Sequence, residues 1–496
     1  MSMVMYKSTR GGSEEVTASA AILQGLAPDG GLYVPTSVPK LPVSMRELSR
    51  MSYRDTAYAV LSLFLTDYTE DELRACIDAA YDDKFDTEEI APLVQADGAY
   101  YLELFHGATI AFKDMALSIL PHLMTTAAKK NGITDKIVIL TATSGDTGKA
   151  ALAGFADVPG TEIIVFYPKN GVSAVQERQM VTQKGGNVHV VGITGNFDDA
   201  QTGVKKMFGD DAMKSALAAK GYRFSSANSI NIGRLVPQIV YYTYAYGKLL
   251  AEGHIQDGEK INITVPTGNF GNILAAYYAG KIGVPIAKLI CASNTNKVLF
   301  DFFETGEYDR NREFVLTSSP SMDILVSSNL ERLIYHIAGN DSKKTAALMA
   351  GLTSKGRYEI TDEMKEGLAG FSAGYATEEE TAEAIRTLYE RTGYVIDTHT
   401  AVASYVYRRY VNHTHDFTRT VIASTASPFK FARSVLAAID PELAKADDFA
   451  LFDTLAKVAN VKLPPAVTEL LSAEIRHDTV CETAAMPAVV KQILGL

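Results

Sequence analysis

The sequence predicts an α/β protein built from parallel or mixed sheets with flanking helices. Short apolar strands alternate with helical stretches along most of the chain, an order typical of right-handed crossovers between parallel strands. In addition, three predicted strands, ending near Leu140, Val265 and Ala423, lead directly into loops rich in glycine or hydroxyl groups. Ligands bind at the carboxyl ends of such strands, so we expect the three loops to form one site.

The elements can be assigned in order along the chain. The first ninety or so residues are rich in turns and then helical in pattern, which indicates a separate cap. Apolar runs predict strands over 101–104, 136–140, 162–167, 187–193, 260–265, 287–292 and 419–423. Helical spacing predicts helices over 114–130, 148–157, 271–281 and 429–439. The first helix should kink at Pro121, because proline cannot donate its share of the helical hydrogen bonds.

Composition indicates a globular protein with no general affinity for polyanions. With 496 residues, 47% of them hydrophobic, the chain can bury a large core and should divide into about two or three domains. Its 47 basic and 58 acidic residues give a net charge of −11, so we expect no nucleic acid and no membrane as partner.

Cysteine usage and the lack of targeting segments indicate the compartment. Cys76, Cys291 and Cys481 are odd in number, far apart and without metal-ligand spacing, so we expect no metal site and a reducing environment. The sequence shows no signal segment and no apolar run of about 18 residues. We therefore expect a cytoplasmic protein, although an organelle protein that had lost a transit peptide would look the same.

Lys113 is the candidate catalytic residue. It stands in the sequence LFHGATIAFKD (104–114), and most lysines in such a scan are solvated surface residues. Here the apolar neighbours on both sides favour a desolvated ammonium with a lowered pKa, which supplies the neutral amine needed to condense with an aldehyde.

Two loops are candidates for binding anions. TGNFGN (267–272) joins a strand to a helix, so its backbone N–H groups and the helix dipole suit a phosphate; a plain turn explains this loop alone about as well. TSGDTG (143–148) has the same setting and suits a carboxylate, with helix capping as the alternative. Asp146 does not suit an anion, so it caps the helix or faces a polar edge of the cofactor. Together with Lys113, the loops indicate a pyridoxal-phosphate site.

A third segment offers groups for a second phosphate. NSINIGR (228–234) contains amides, a hydroxyl and the guanidinium of Arg234, whose fork matches a phosphate dianion; a capping segment with a surface arginine is the alternative. His399 has no partner histidines at metal spacing, and we expect it to be a structural, hydrogen-bonded histidine.

These motifs, in this order, resemble those of the threonine synthase family, which are fold-type II pyridoxal-phosphate enzymes of the tryptophan synthase β type. The resemblance spans nearly the whole chain and also includes STR (8–10), GLAPDGGLYVP (25–35) and SANSIN (226–231). It implies a lyase of threonine biosynthesis that converts O-phospho-L-homoserine and water into L-threonine and phosphate.

The resemblance also implies a role for each motif. Lys113 forms the Schiff base with pyridoxal 5'-phosphate, and Thr425 meets the pyridine nitrogen. The cofactor phosphate is held by Gly268, Asn269, Phe270, Gly271 and Asn272. The loop that takes the substrate carboxylate contributes Thr143, Ser144, Asp146 and Thr147, and the substrate phosphate is bound by Asn228, Ser229 and Arg234. Lys113 would then act as the base at Cα and later at Cβ.

The domain division follows from the alternation and the resemblance together. We predict an N-terminal cap over 1–95, a small mobile domain over 133–235, a large cofactor-binding domain over 96–132 and 236–440, and a C-terminal helical extension over 441–496. Ala108, Thr398 and Ser427 depart from the family pattern, and the Ser427 change argues against a catalytic histidine at that loop.

Other functions remain open at this point. A related phospholyase would release 2-oxobutyrate and ammonia after the same early steps, and the sequence discriminates poorly between the two. A non-catalytic homologue that binds the cofactor or a phosphoamino acid is disfavoured by Lys113 and Arg234, and a nicotinamide-dependent dehydrogenase is disfavoured by the absence of GxGxxG spacing. We expect a monomer or homodimer acting on a small molecule.

Overall fold

The computed structural model describes residues 3–143 and 145–496. The strands in these residues are β1 (Tyr6–Ser8), β2 (Tyr33–Pro35), β3 (Leu93–Ala96), β4 (Ala99–Glu103), β5 (Lys136–Ala142), β6 (Thr161–Pro168), β7 (Val188–Ile193), β8 (Tyr222–Ser225), β9 (Ile261–Pro266), β10 (Ile286–Ser293), β11 (Glu307–Asp309), β12 (Arg357–Glu359), β13 (Phe371–Tyr375), β14 (Thr420–Ser424) and β15 (Val480–Cys481). Short 3-10 turns lie at Pro320–Met322, Pro428–Phe431, Pro441–Ala444 and Thr483–Ala485.

Helices connect and cover these strands. They are α1 (Ala18–Gln24), α2 (Met45–Leu48), α3 (Tyr53–Phe64), α4 (Glu70–Ala80), α5 (Asp114–Leu117), α6 (Leu120–Lys130), α7 (Asp146–Phe155), α8 (Ala174–Val181), α9 (Phe197–Gly209), α10 (Asp211–Ala219), α11 (Ile232–Ala251), α12 (Gly271–Ile282), α13 (Val298–Thr305), α14 (Leu330–Ile337), α15 (Ser342–Lys355), α16 (Asp362–Glu366), α17 (Glu378–Thr392), α18 (Thr398–Thr414), α19 (Ala432–Ile439), α20 (Ala450–Ala459), α21 (Pro465–Ser472) and α22 (Met486–Leu494). Within the part of the chain that is described, none of them combines the length and the apolar character needed to cross a bilayer.

The larger sheet has the order β13-β10-β9-β14-β4-β3, and only the β3–β4 pair is antiparallel. Every residue of the central strands β9 and β14 is buried, because helices cover both faces of this sheet. The α/β class with mixed sheets is therefore confirmed.

The smaller sheet has the order β15-β7-β6-β5-β8 and is parallel throughout. Its outer strand β15 comes from the end of the chain, and Met486, Val490 and Leu494 of α22 lie in the same core as Val138 and Ile164. The segment predicted as a helical extension thus contributes a strand and a helix to this sheet. This strand has only two residues, which is too short an apolar run to predict from the sequence.

The STR motif near the start of the chain is hydrogen-bonded to Glu331 of α14. The Thr9 hydroxyl donates to Glu331 Oε1 at 2.6 Å, and Arg10 donates to both oxygens of that carboxylate at 2.9 and 2.8 Å. Arg332, which is fully buried, donates to the carbonyl oxygen of Tyr33 at 2.8 Å.

The domain boundaries stay predictions. Strand β3 crosses the boundary predicted at 95/96, and the continuous helix α11 crosses the boundary predicted at 235/236.

Two local predictions are wrong in detail. The helix predicted over 114–130 is divided into α5 and α6, and Pro121 stands in the first turn of α6, where its missing N–H costs no helical hydrogen bond. The three site loops do not follow strands of one sheet either. The loop after β5 belongs to the smaller sheet and those after β9 and β14 to the larger one, so a site that contains all three lies between the sheets.

Candidate active site

Lys113 is held beside the end of β14 by backbone pairing. The Phe112 N–H donates to the Thr425 carbonyl oxygen at 2.8 Å, and the Ser427 N–H donates to the Ile110 carbonyl oxygen at 3.0 Å. Ala111 and Ala426 form an antiparallel bridge between these hydrogen bonds. This pairing places Lys113 next to Thr425, which is distant in sequence, and Thr425 is buried.

The Lys113 amine lies in surroundings that favour its neutral form. Nζ donates to the Ser321 hydroxyl oxygen at 3.4 Å. Desolvation lowers the pKa of Lys113 to about 8; the positive charges of Lys430 and Arg234 add to this, and the carboxylate of Asp146 opposes it. The amine can therefore take up and release a proton near neutral pH, as a nucleophile or general base must.

The loop after β9 presents the amino end of α12 to the same region. Phe270, the residue before the helix, is left-handed with a φ of +64°, and its buried ring packs against Phe303 and Phe371 at centroid distances of 6.1 and 6.2 Å. This packing sustains an unfavourable conformation. A Cβ on Gly268 would stand 2.6 Å from the Ser321 carbonyl oxygen, so only glycine fits there.

This loop also has unused donors. The cap residue Phe270 makes no side-chain hydrogen bond to the first turn of α12, so N–H groups of that turn remain for a ligand. Asn272 is buried, its Oδ1 accepts from the Tyr242 hydroxyl, and its Nδ2 has no partner among the described residues. Asn269 is exposed at the rim. A buried donor without a partner is costly, and a phosphate would satisfy it. The loop therefore fits the cofactor phosphate.

The loop after β5 is organised by Thr143. Its hydroxyl accepts from the N–H groups of Gly145 and Gly148, each at 3.0 Å, and is therefore engaged inside the loop. Gly145 has a φ of +151°, which favours glycine. Thr147 is half-buried in the first turn of α7. Ser144 lies outside the described residues.

Asp146 is paired with a lysine that the sequence analysis did not single out. Its Oδ1 lies 3.3 Å from Lys430 Nζ and accepts from Gln176 Nε2 at 3.2 Å. Burial acts to raise the pKa of Asp146, but Lys430 and Lys113 lower it to about 2. Asp146 is thus a carboxylate paired with a cation and not a free helix cap. Lys430 could have been found by the same signal as Lys113, since it too stands in an apolar run after a predicted strand.

Arg234 is a buried guanidinium that the protein leaves partly unsatisfied. Its side chain donates from Nη1 to the Ala227 carbonyl oxygen at 3.0 Å, while Nε has no partner among the described residues. Burial lowers its pKa to about 10. Asn228 is exposed, and Ser229 is half-buried with its carbonyl oxygen accepting from Asn329 at 3.3 Å. No carboxylate of the described residues forms an ion pair with Arg234, so it is available to an anion.

His399 is hydrogen-bonded on both ring nitrogens, as predicted. Nδ1 lies 2.8 Å from Asp397 Oδ2, and Nε2 accepts from the Ser321 N–H at 3.2 Å. His399 therefore holds the turn whose hydroxyl meets Lys113. Sequence reasoning missed Ser321, because only the tertiary fold brings this turn to the lysine.

Comparison with known families agrees with this geometry. A family model described as "Pyridoxal-phosphate dependent enzyme" matches residues 86–425, which contain Lys113, the loops after β5 and β9, Arg234 and Thr425. Fold and site thus define a pyridoxal-phosphate-dependent enzyme of fold-type II. Models described as "Threonine synthase N terminus" and "Threonine synthase, C-terminal" match residues 5–81 and 400–493.

Individual relatives point to the same family. Threonine synthase-like 1 of Homo sapiens is 40% identical over 434 residues, which are 85% of this chain and 58% of that protein. Threonine synthase of Saccharomyces cerevisiae is 35% identical over 462 residues, covering 87% of this chain and 88% of the yeast protein. The crystal structure of PLP-bound threonine synthase from Brucella melitensis superposes with a TM-score of 0.88 at 36% identity, covering 99% of this chain and 100% of that one. The chain belongs to the threonine synthase family. It spans about 58% of the length of the threonine synthase-like 1 proteins.

Proposed function

We propose that this enzyme converts O-phospho-L-homoserine and water into L-threonine and phosphate. The observation that carries the proposal is the buried guanidinium of Arg234, which finds no carboxylate among the described residues. An uncompensated buried charge is strongly unfavourable, so a ligand that brings its own negative charge is the natural partner. A phosphate on the substrate meets this requirement, and the name of the yeast relative, threonine synthase, supports the reaction.

The cofactor is assigned to the other anion site. In this proposal Lys113 is the amine that joins the cofactor aldehyde, the loop of Gly268, Asn269, Phe270, Gly271 and Asn272 holds its phosphate, and Thr425 meets its ring nitrogen. When bound, pyridoxal 5'-phosphate supplies an electron sink that labilises bonds at the substrate Cα. The free Nδ2 of Asn272 and the uncapped start of α12 support this assignment.

In this proposal Lys113 is the residue that transfers protons. A pKa of about 8 allows its Nζ to take a proton from Cα and to act again as the base at Cβ. The start of α7, with Thr143, Ser144 and Thr147, is assigned to the substrate carboxylate, whereas Asp146 would repel it and is assigned to charge balance. Arg234, with Asn228 and Ser229, orients the phosphate that leaves.

The reaction is tested by measuring three products together. Purified protein loaded with cofactor is given O-phospho-L-homoserine, and phosphate, threonine and 2-oxobutyrate are quantified over time. Equal amounts of phosphate and threonine are expected. Phosphate with 2-oxobutyrate instead would identify a phospholyase, and absence of phosphate release would identify a binding homologue. L-homoserine, which lacks the phosphate, serves as the matched substrate control.

We also propose that the enzyme is a cytoplasmic monomer or homodimer. Cys76, Cys291 and Cys481 are all free thiols, which is compatible with a reducing compartment. Light scattering on a size-exclusion column tests the assembly, and a mass above that of a dimer would contradict it.

A further inference from the structure

Lys430 is a buried lysine that has no role in the reaction proposed above. Its side chain is 1% exposed, and it lies in the 3-10 turn that follows β14 of the larger sheet. Nζ donates to the Thr109 carbonyl oxygen at 2.8 Å and lies 3.3 Å from Asp146 Oδ1. Because Asp146 is the first residue of α7, this ion pair joins the two sheets.

Both partners of the pair are fixed by further contacts. The Thr109 N–H and hydroxyl donate to the two oxygens of Asp114 at 2.8 and 2.6 Å, which holds the carbonyl that Lys430 uses. On the other side, Gln176 of α8 donates to Asp146 at 3.2 Å. Removing two charges from water costs more free energy than an exposed ion pair typically gains. A buried ion pair is therefore expected where the relative position of its two side chains must be well defined.

The same pair lies within electrostatic reach of the candidate catalytic amine. Asp146 stabilises the charged form of Lys113, and Lys430 destabilises it. Other charged or titratable groups around Lys113 and Asp146 are Arg234, Asp114 and His399, and Asp114 and Lys149 also lie around Lys430. Among these described groups, Lys430 is the one whose ammonium contacts both Asp146 and Thr109, in the segment that leads to Lys113.

We propose that Lys430 is a positioning residue that fixes the start of α7 against the segment carrying Lys113 and, together with Asp146, sets the charge balance at the Lys113 amine. The part concerning the amine rests on the proposed function. Without Lys430, Asp146 acts on Lys113 unopposed and favours its ammonium form. Without Asp146, the remaining positive charges favour the neutral amine.

The mechanical part is tested by hydrogen exchange on the full chain, loaded with cofactor and without substrate. Lys430→Met should make amides in the peptide covering 146–155 exchange about tenfold faster or more, because a buried pair has lost one partner. Lys430→Arg should restore much of the protection. Lys445→Met, which removes a surface pair with Glu442, is the control and should leave this peptide unchanged. Unchanged exchange in folded Lys430→Met would overturn the proposal, whether or not the protein turns over any substrate.

The electrostatic part is tested by the pH dependence of turnover. Lys430→Met should move the acidic limb of the kcat profile to higher pH, and Asp146→Asn should move it to lower pH, since the two charges act on Lys113 in opposite directions. A purely structural role would lower kcat without separating the limbs in this way. Shifts in the same direction, or no shift in either variant, would show that the pair does not set the charge balance.

Discussion

At the scale of single residues, the site depends on three cations with different surroundings, of which Lys430 and Arg234 are buried. Lys113 is half-buried and lies beside a hydroxyl, Lys430 is paired with Asp146, and Arg234 has an unused Nε. The sequence could predict Lys113 and Arg234, because each stands in a recognisable local motif. It could not predict the pairing of Asp146 with Lys430, or the approach of Ser321 to Lys113, because these contacts join segments of the chain that are far apart in sequence.

Lys113 is expected to carry the cofactor. Reduction of the purified yellow protein with borohydride, followed by peptide mapping, should place the pyridoxyl group on Lys113, whose lowered pKa favours a nucleophilic amine. Lys113→Ala should abolish turnover. The buried Lys430 is an internal control, and a label there would contradict the assignment.

Arg234→Ala should separate the two anion sites. The cofactor absorbance should persist, while kcat/KM for O-phospho-L-homoserine should fall about 30- to 1,000-fold, as for loss of about 2 to 4 kcal/mol of charge-assisted contact. Arg234→Lys should recover only part of the lost kcat/KM, because the point charge of a lysine cannot replace the bidentate guanidinium of an arginine. The binding of a substrate analogue without phosphate is the comparison: an equal loss there would mean that Arg234 supports the fold instead.

At the scale of elements, function depends on how helices begin. α7 and α12 both start at a strand end with glycine-rich backbone, and neither cap residue, Gly145 or Phe270, makes a side-chain hydrogen bond to its helix. The sequence predicted both strand-loop-helix units because apolar runs and glycines mark them clearly. The sequence pattern predicts one helix where the structure has α5 and α6, because the helical apolar spacing continues across the break. Only Pro121, which lies in the first turn of α6, indicates that a new helix begins there.

Gly271 offers a test of the loop that does not disturb packing. A Cβ there would have its nearest neighbour, Asn329 Nδ2, at 3.4 Å, which is an ordinary contact. Gly271→Ala should therefore keep or slightly raise the free energy of unfolding, by up to about 1 kcal/mol, while cofactor affinity falls because the methyl group occupies space beside the phosphate. Cofactor titration and urea unfolding measure the two effects.

Gly280→Ala is the matched control on the same helix. Its Cβ would lie 3.7 Å from Ile286 Cδ1, away from the loop, so cofactor affinity should stay at the wild-type value. If Gly271→Ala also binds cofactor normally, the loop is only a connector and the cofactor phosphate is bound elsewhere.

At the scale of the whole molecule, segments that are far apart in sequence contact each other and form shared structure. Thr9 and Arg10 of the N-terminal segment contact Glu331, and β15, from the C-terminal segment, completes the smaller sheet. Fold class and family could be predicted from the sequence, because the motifs span the chain. The role of the C-terminal residues could not, since a two-residue strand leaves no periodic pattern.

Met486→Ala should show that the end of the chain is structural. Met486 is fully buried beside α9, so its truncation should lower the free energy of unfolding by about 2 to 5 kcal/mol. Gln492→Ala, at an exposed position of the same helix, should change it by less than about 0.5 kcal/mol. Urea unfolding measures both, and equal effects would contradict a packed role for α22.

The pairing of β15 with β7 has a consequence for biosynthesis. The Gly192 N–H donates to the Thr479 carbonyl oxygen at 2.9 Å, and Thr194 donates to Cys481 at 3.1 Å. During translation, β7 leaves the ribosome long before its partner exists, and its open hydrogen-bonding edge is a template for pairing with another nascent chain. The edge of β7 stays open until β15 has been synthesised and has paired with it, so a product truncated before Val480 would expose an edge that is prone to aggregation.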